Sequence, residues 1–151
     1  MKTLIDTNIL VYAHDSSSAY QKSAAALVKD ALEGRFEAVI SIQNISELYS
    51  VLTNHKRAKK PLNPRAAHHI CKLYLVASEI PKLVPEETTL LRALELASEQ
   101  STTGGDFFDC LLAATMEQFE VKRIYTENTS DFRKLAFVEA NFPLKSKKRT
   151  L

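Results

Sequence analysis

Short hydrophobic runs alternate along the chain with longer segments in which hydrophobic residues recur every three or four positions. The first run, Leu4-Ile5, stops at the polar triplet Asp6-Thr7-Asn8, which is typical of a turn that begins a helix. No two neighbouring runs are joined by the tight turns that make hairpins. Strands are predicted at residues 2–5, 38–41, 82–84 and 123–126, with a fifth at 137–139.

Segments with helical periodicity fill the intervals between these runs. The clearest places Ala24, Val28 and Ala31 on one face and ends at Gly34. Helices are predicted at residues 20–32, along the stripe Ile45, Leu48, Tyr49 and Leu52, at 65–78, after Pro85 with Leu90, Leu91, Leu94 and Ala97, and from Asp106 onward. This alternation favours the α/β class, with a mainly parallel sheet of four or five strands and helices on both faces.

The length of 151 residues suits one domain. The chain contains no internal repeat and no segment with the composition of a linker. We therefore assign residues 1–144 to a single domain and residues 145–151 to a basic C-terminal tail.

Composition and charge exclude several classes of protein. Twenty Lys and Arg against 18 Asp and Glu leave a net charge of +2, so a broad positive field of the kind histone-like DNA-binding proteins use is absent. Cys71 and Cys110 lack the C-x-x-C spacing of zinc sites and are predicted to be buried thiols in a reducing compartment. Asp6 interrupts the N-terminal apolar run, and no stretch approaches the roughly 18 apolar residues of a membrane span. A cytoplasmic protein without a membrane segment is expected.

Acidic residues follow several of the predicted strands. Asp6 follows the first strand and Glu47 lies a few residues after the second, while Asn128 and Asp131 follow the fourth. In an open parallel sheet, ligands bind beyond the carboxyl ends of the strands. These side chains, together with Asp106 and Asp109, are therefore candidates for one site.

The helix that begins near Asp106 carries the most specific signal. Its remaining positions are apolar in nearly every direction, which is typical of a buried helix. Asp106 and Asp109 are three residues apart in its first turn and so share a face. A buried carboxylate without a cationic partner takes up a proton, and this helix has no basic residue before Lys122. A bound cation is the partner this pattern favours.

Each acid also has a structural interpretation. Asp106 is a good N-cap and Asp109 suits the positive end of the helix dipole. Asp6 is a common residue in the turn after a strand. Glu47 lies opposite the apolar stripe of its helix, so periodicity predicts a solvated surface side chain. Asn128 and Asp131 are also suited to capping the segment after Thr126.

Four segments, in order over nearly the whole chain, resemble a known family. They are Leu4-Ile5-Asp6-Thr7-Asn8-Ile9-Leu10-Val11-Tyr12, then Ile40-Ser41 followed by Glu47, then Phe108-Asp109-Cys110-Leu111-Leu112-Ala113-Ala114-Thr115, and last Thr126-Glu127-Asn128-Thr129-Ser130-Asp131-Phe132. Together they resemble the PIN-domain nucleases, and most closely the VapC-type ribonuclease toxins of prokaryotic toxin–antitoxin pairs.

The resemblance implies a three-layer α/β/α sandwich whose acids converge at the carboxyl edge of the sheet. By position, Asp6, Glu47 and Asp109 match the three core acids of the family, and Asp131 matches a fourth, more variable acid. The resemblance also suggests roles around these acids for five further residues: Asn128, which stands where some members carry another aspartate; Asp106, one helical turn before the matched acid; and Thr7, Asn8 and Ser41, which are expected to orient the carboxylates.

The physics of gathered carboxylates suggests a metal cofactor. Two unit charges 4 Å apart repel by about 4 kcal/mol at an effective dielectric constant near 20, so grouped carboxylates hold protons or attract a divalent cation. Oxygen ligands suit Mg²⁺, or Mn²⁺ in its place, rather than zinc or copper. A metal held there can lower the pKa of a bound water and neutralise charge on a phosphate. The resemblance implies that the reaction is hydrolysis of an RNA phosphodiester that leaves a 5′-phosphate.

The resemblance further implies a homodimer and a small antitoxin protein that covers the site. For the RNA substrate, the cluster Lys56, Arg57, Lys59 and Lys60 and the basic tail are candidate phosphate contacts, although a solvated helix end and a loose tail have the same composition.

Two other functions stay open at this point. A magnesium-dependent phosphotransfer domain also gathers acids beyond parallel strands, but Asn8 occupies the position where the haloacid-dehalogenase-like phosphatases need a second aspartate. The second is a non-catalytic PIN-like module that serves binding or assembly. This interpretation is supported by Asn128, which stands where some members of the family carry an acid.

Overall fold

A parallel sheet of five strands forms the centre of the computed structural model, which describes residues 1–135 and 137–146. The order of the strands is β3-β2-β1-β4-β5, and every neighbouring pair is parallel. The strands are β1 (Thr3–Ile5), β2 (Ala38–Ser41), β3 (Lys82–Leu83), β4 (Arg123–Tyr125) and β5 (Glu139–Asn141). The prediction of a parallel sheet is confirmed, at the upper of the two strand numbers expected.

Seven helices lie between and beside these strands in the described residues. They are α1 (Thr7–His14), α2 (Gln21–Leu32), α3 (Ile42–Thr53), α4 (Pro64–Val76), α5 (Glu87–Glu99), α6 (Phe107–Gln118) and α7 (Thr129–Arg133). A single 3-10 turn, Gly104–Asp106, leads into α6. Gly34 ends α2 with a φ of +69°, a conformation that a residue without a side chain adopts most easily.

The helices cover the two faces of the sheet as separate layers. Alternating strand residues point to opposite faces, so Ile5 packs against α1–α4 while its neighbour Leu4 packs against α5–α7. The same division separates Ile40 from Val39 on β2. The result is the predicted three-layer α/β/α sandwich. Cys71 contributes to one layer and Cys110 to the other, both as buried free thiols, as predicted.

The fifth strand lies two residues later than predicted. The Val138 amide donates to the Leu135 carbonyl, so the chain is still turning at the start of the predicted strand. Pairing with β4 begins only at Glu139, whose amide donates to the Lys122 carbonyl. Hydrophobic content alone suggested residues 137–139, because Phe137 and Val138 are apolar.

The strand order places the ends of β1, β2 and β4 side by side. β1 lies between β2 and β4, and all three run in the same direction. Asp6 directly follows β1, and Thr126 directly follows β4. In the described part of the chain, no helix is both long and apolar enough to cross a membrane.

A candidate acidic active site

Asp6 is fixed at the carboxyl end of the central strand by four hydrogen bonds. It is the N-cap of α1, and its carboxylate accepts from the Thr7 amide at 2.7 Å. It also accepts from the Thr126 hydroxyl at 2.7 Å, from Asn8 Nδ2 at 3.3 Å and from Asn44 Nδ2 at 3.4 Å. Only 5% of the residue is exposed. The capping role expected of an aspartate after a strand is therefore present together with a buried, oriented carboxylate.

Burial has a large effect on the acidity of Asp6. Removal from water raises its pKa from 3.8 to about 6, although the hydrogen bonds from Thr126 and Thr7 favour the charged form. The negative charge of Glu47 raises the pKa further. A positive charge near this carboxylate would oppose both effects.

Glu47 is half-buried and faces the same edge of the sheet. Its Oε2 accepts from the Thr7 hydroxyl at 3.1 Å, and its Oε1 accepts from Gln43 Nε2 at 2.8 Å. The helical periodicity of α3, which predicts a solvated surface glutamate, is therefore misleading here. Tyr49, assigned by the same pattern to the buried stripe, is exposed instead.

Gln43 links Glu47 to the helix that carries Asp109. Its Nε2 group also donates to the backbone carbonyl of Phe108 at 2.9 Å. Thr7 joins Asp6 to Glu47 in the same way, with its amide on one carboxylate and its hydroxyl on the other. A continuous chain of polar contacts thus runs from Asp6 to the residue preceding Asp109.

Asp109 lies half-buried in the first turn of α6 and accepts no hydrogen bond from any residue that the structure describes. Burial is the main cause that raises its pKa from 3.8 to about 7. The charges of four other acids raise it further: Asp6, Asp131, Glu47 and Asp106. This is the electrostatic environment in which a carboxylate either holds a proton or shares a cation.

The remaining predicted polar residues lie at the rim of the site. Asp106 is exposed, and its side chain makes no capping hydrogen bond, so the interpretation as an N-cap is wrong at the level of the side chain. Asp131 is exposed on α7, with Oδ1 3.4 Å from Lys134 Nζ. Asn128 is also exposed, and its backbone amide donates to the Thr126 hydroxyl.

Ser41 does not orient a carboxylate. It is buried at the N-terminus of α3, where its hydroxyl accepts from the backbone amide of Gln43 at 3.2 Å. Its own backbone amide donates to Asn44 Oδ1. Its contribution is to start the helix that carries Gln43, Asn44 and Glu47. The other two residues predicted to orient carboxylates, Thr7 and Asn8, both donate to them.

The donor set fits a hard divalent cation. All the candidate ligands are carboxylate oxygens, and Asp109 has neither a hydrogen-bond donor nor a cationic partner among the described residues. As placed, no three His, Cys, Asp or Glu side chains of the described chain are close enough together to hold one ion. Gathering them around one ion would require the carboxylates to move, and of these Glu47 and Asp109 are half-buried and Asp131 is exposed.

Two cavities open at these acids. The larger has a volume of about 950 Å³, and we call it the acidic cleft. Its acidic lining residues are Asp6, Glu47, Asp106, Asp109 and Glu127. A smaller cavity of about 190 Å³ shares Asp106 and Asp109 with the acidic cleft, and Asp131 and Lys134 also line it.

The predicted basic cluster is divided by the structure. Arg57 lines the acidic cleft and is the one cationic side chain among the described residues that does so. Lys56, Lys59 and Lys60 are exposed but do not line it. Within the basic tail, Lys145 is exposed, while Lys147, Lys148 and Arg149 lie outside the described residues.

Three residues of the site were not predicted: Gln43, Asn44 and Thr126. Thr126 was identifiable, because it directly follows the strand beside β1 and so lies next to Asp6. Asn44 is fully buried and stands three residues after Ser41, which is the spacing of a capping box. Gln43 has no such signal, since its partner Phe108 lies 65 residues away in the chain.

Comparison with known proteins places the chain beside one family. The family model described as "PIN domain" matches residues 3–138. A curated relative, Ribonuclease VapC24 of Mycobacterium tuberculosis strain H37Rv, is 26% identical over 142 residues, which cover 94% of this chain and 97% of the relative.

Several solved structures share the fold. VapC20 of Mycobacterium tuberculosis, described as a sarcin-ricin loop cleaving toxin, has a TM-score of 0.67 at 14% identity and covers 88% of this chain and 95% of its own. VapBC2 of Rickettsia felis, bound to a DNA fragment from its promoter, has a TM-score of 0.61 at 18% identity, with 93% and 98% covered. FitAcB of Neisseria gonorrhoeae has a TM-score of 0.60 at 21% identity, with 93% and 97% covered.

Proposed function

Because the chain belongs to the PIN-domain family, we propose that it is an endoribonuclease that depends on Mg²⁺ or Mn²⁺ and forms the toxin half of a toxin–antitoxin pair. The observation that carries this proposal is the linked row of Asp6, Glu47 and Asp109 at the carboxyl edge of the sheet. The curated relative named a ribonuclease and the structural neighbour described as an RNA-loop-cleaving toxin support the same activity.

The residues of the site have different roles, and together these roles suit phosphodiester hydrolysis. Four hydrogen bonds hold the Asp6 carboxylate in one orientation, so it provides a fixed side to the site. Thr7 links Glu47 to Asp6, and Gln43 links Glu47 to the backbone carbonyl of Phe108, the residue before Asp109. Asp131 lies at the rim. A bound divalent cation supplies activation of water and neutralisation of charge on the scissile phosphate.

The phosphotransfer alternative has weaker support. It requires Asp6 to attack phosphorus, yet both oxygens of this carboxylate accept hydrogen bonds. Asn8, in the position of the second aspartate of the phosphatases, is engaged with Asp6 and Thr126.

The activity is tested with purified protein and 5′-labelled RNA at pH 8. Cleavage is expected with Mg²⁺ or Mn²⁺, with products that carry a 5′-phosphate, and none is expected in EDTA. Undiminished cleavage in EDTA contradicts metal dependence. Strong metal binding without cleavage of any RNA supports the non-catalytic module instead.

The proposal also includes an antitoxin protein as partner and a homodimer of this chain. The structural neighbours include toxin–antitoxin complexes, of which the Klebsiella pneumoniae complex has a TM-score of 0.60 at 20% identity. We expect a small antitoxin protein to suppress the cleavage when it is co-purified with this chain, and a homodimer in solution.

Arg57 is expected to contact an RNA phosphate, whereas Lys60 is not. Arg57→Gln should lower kcat/KM for RNA about tenfold and reduce the slope of log affinity against log salt by about 0.7, the value for one phosphate contact on a single strand. Lys60→Gln is the matched control and should change kcat/KM less than about twofold, since Lys60 lies outside the cleft. Equal effects of the two substitutions in a salt titration would contradict this assignment.

A further inference from the structure

Phe108 breaks the burial pattern of the helix on which it lies. Most of α6 is enclosed by the second helical layer, and its buried residues include Cys110, Leu112 and Ala113. Phe108 is 52% exposed, although the apolar character of the helix predicts a core residue. Its side chain lines the acidic cleft.

The position of Phe108 relative to the acids is fixed on two sides. Its carbonyl accepts the hydrogen bond from Gln43, whose other partner is Glu47. Its ring meets the ring of Phe107 at a centroid distance of 6.0 Å and an interplanar angle of 64°, and Phe107 packs into the core. The next residue in the chain is Asp109. The Phe108 side chain and the Asp109 carboxylate therefore line the same acidic cleft.

Among the described residues, one other aromatic side chain lines the cleft, beside the aliphatic Val11 and Val51. Tyr12 also lines it, but its hydroxyl donates to Glu127 and its ring packs on Tyr20 at 5.1 Å. The charged lining consists of carboxylates and Arg57. A ligand that suits all of these features combines an anionic group, for Arg57 and a cation held by the acids, with a flat π-system for Phe108.

We propose that Phe108 is a positioning residue on which a nucleobase next to the scissile phosphate stacks. This inference rests on the proposed ribonuclease function. Every base has a π-face, so stacking on an aromatic ring holds single-stranded RNA with little sequence preference. A cleft of about 950 Å³ lies within the range of pockets for single small ligands, about 300–1,000 Å³, so it has room for unpaired nucleotides.

A protein partner that covers Phe108 is the competing explanation of its exposure. The position of the ring favours RNA, because Phe108 lies inside the cleft with the reacting acids and shares it with Arg57. The exposed apolar residues of α5, among them Leu91, lie outside this cleft and provide a control surface.

Substitutions separate the π-face from mere hydrophobicity. Phe108→Leu should weaken binding of a ten-nucleotide single-stranded RNA, and raise its KM, by roughly tenfold to a hundredfold, the range expected for loss of one stacked base. Phe108→Tyr keeps the ring and should stay within about threefold of the original protein. Leu91→Ala should bind and cleave RNA as the original protein does.

A spectroscopic measurement reports stacking directly, because the chain contains no tryptophan. Phe108→Trp gives a protein with a single indole in the cleft, and Leu91→Trp gives one with an indole on α5. The ten-nucleotide RNA is added with Ca²⁺ in place of Mg²⁺, while fluorescence anisotropy of a label on the RNA reports binding independently. Quenching of the Phe108→Trp emission on binding, without quenching in Leu91→Trp, is the expected result.

The outcomes distinguish this inference from the proposed function. Binding and metal-dependent cleavage without quenching, or equal loss of affinity in Phe108→Leu and Phe108→Tyr, overturns the stacking role and leaves the ribonuclease intact. Unchanged RNA cleavage in Phe108→Leu together with lost inhibition by the antitoxin assigns the ring to the protein partner and overturns the inference. Failure of the original protein to bind or cleave any RNA overturns both.

Discussion

Asp109→Asn is expected to reduce RNA cleavage in Mg²⁺ about a thousandfold or more while leaving the fold intact. Asp109 is the acid on which the charges of Asp6, Glu47, Asp106 and Asp131 converge, and it accepts no hydrogen bond from another described residue. Asparagine has the same shape but offers a cation no negative charge. Loss of several kcal/mol of charge stabilisation corresponds to at least this factor in rate. Single-turnover cleavage of labelled RNA measures the effect.

A matched substitution controls for the general effect of replacing aspartate. Asp30 lies on α2, outside both cavities, and pairs with Arg35 at 3.4 Å on the surface. Asp30→Asn should retain cleavage within about twofold, because exposed ion pairs contribute little. If Asp109→Asn cleaved RNA as fast as Asp30→Asn, Asp109 would have no place in the catalytic site.

Asp109→Asn should stabilise the metal-free protein at pH 8 and much less at pH 4. A raised pKa means that the folded state binds the proton more tightly than the unfolded chain, so stability is lost as the pH rises from 3.8 toward 7. A shift of this size corresponds to about 4 kcal/mol, which we reduce to about 2 kcal/mol because the Asp109 carboxylate is partly exposed to water. Asparagine has no such cost. The melting temperature of Asp109→Asn in EDTA should therefore exceed that of the original protein by about 4–8 °C at pH 8.

The pH dependence identifies the cause of this stabilisation. At pH 4 the two proteins should melt within about 2 °C of each other, since folded Asp109 is then protonated and the pH lies only just above the unfolded pKa of 3.8, so most of the cost is absent. Glu79→Gln replaces an exposed acid with no hydrogen bond or ion pair to another described residue and should change little at either pH. A difference between Asp109→Asn and the original protein that is equal at pH 4 and pH 8 would refute the electrostatic explanation.

The fold was predictable because its signals are local. Short apolar runs, helical stripes and the absence of hairpin turns specify strands that must run parallel, and the sandwich follows. Parallel strands place the residues after them at one edge, which points to Asp6, Glu47 and Asp131, while the buried apolar helix points to Asp109. For Glu47, the resemblance to the PIN-domain nucleases favoured a role in the site over the surface position that the periodicity of α3 predicts.

The features that were not predictable depend on contacts between distant parts of the chain. Gln43 orients Glu47 locally but reaches Phe108 across 65 residues, and Asn44 reaches Asp6 across 38. Phe108 is indistinguishable from a core residue by periodicity, because its exposure depends on where the cleft opens. Which carboxylates bind the metal ion and which basic residues contact RNA are also predictions, because both depend on molecules that the sequence does not contain.

Calorimetric titration with Mn²⁺ at pH 8 tests most directly whether these carboxylates share a divalent cation. The original protein and Asp30→Asn should bind Mn²⁺ at a saturable site, and Asp109→Asn should bind it about tenfold more weakly or worse. Equal affinity in all three proteins, or no saturable binding by the original protein, would contradict the account.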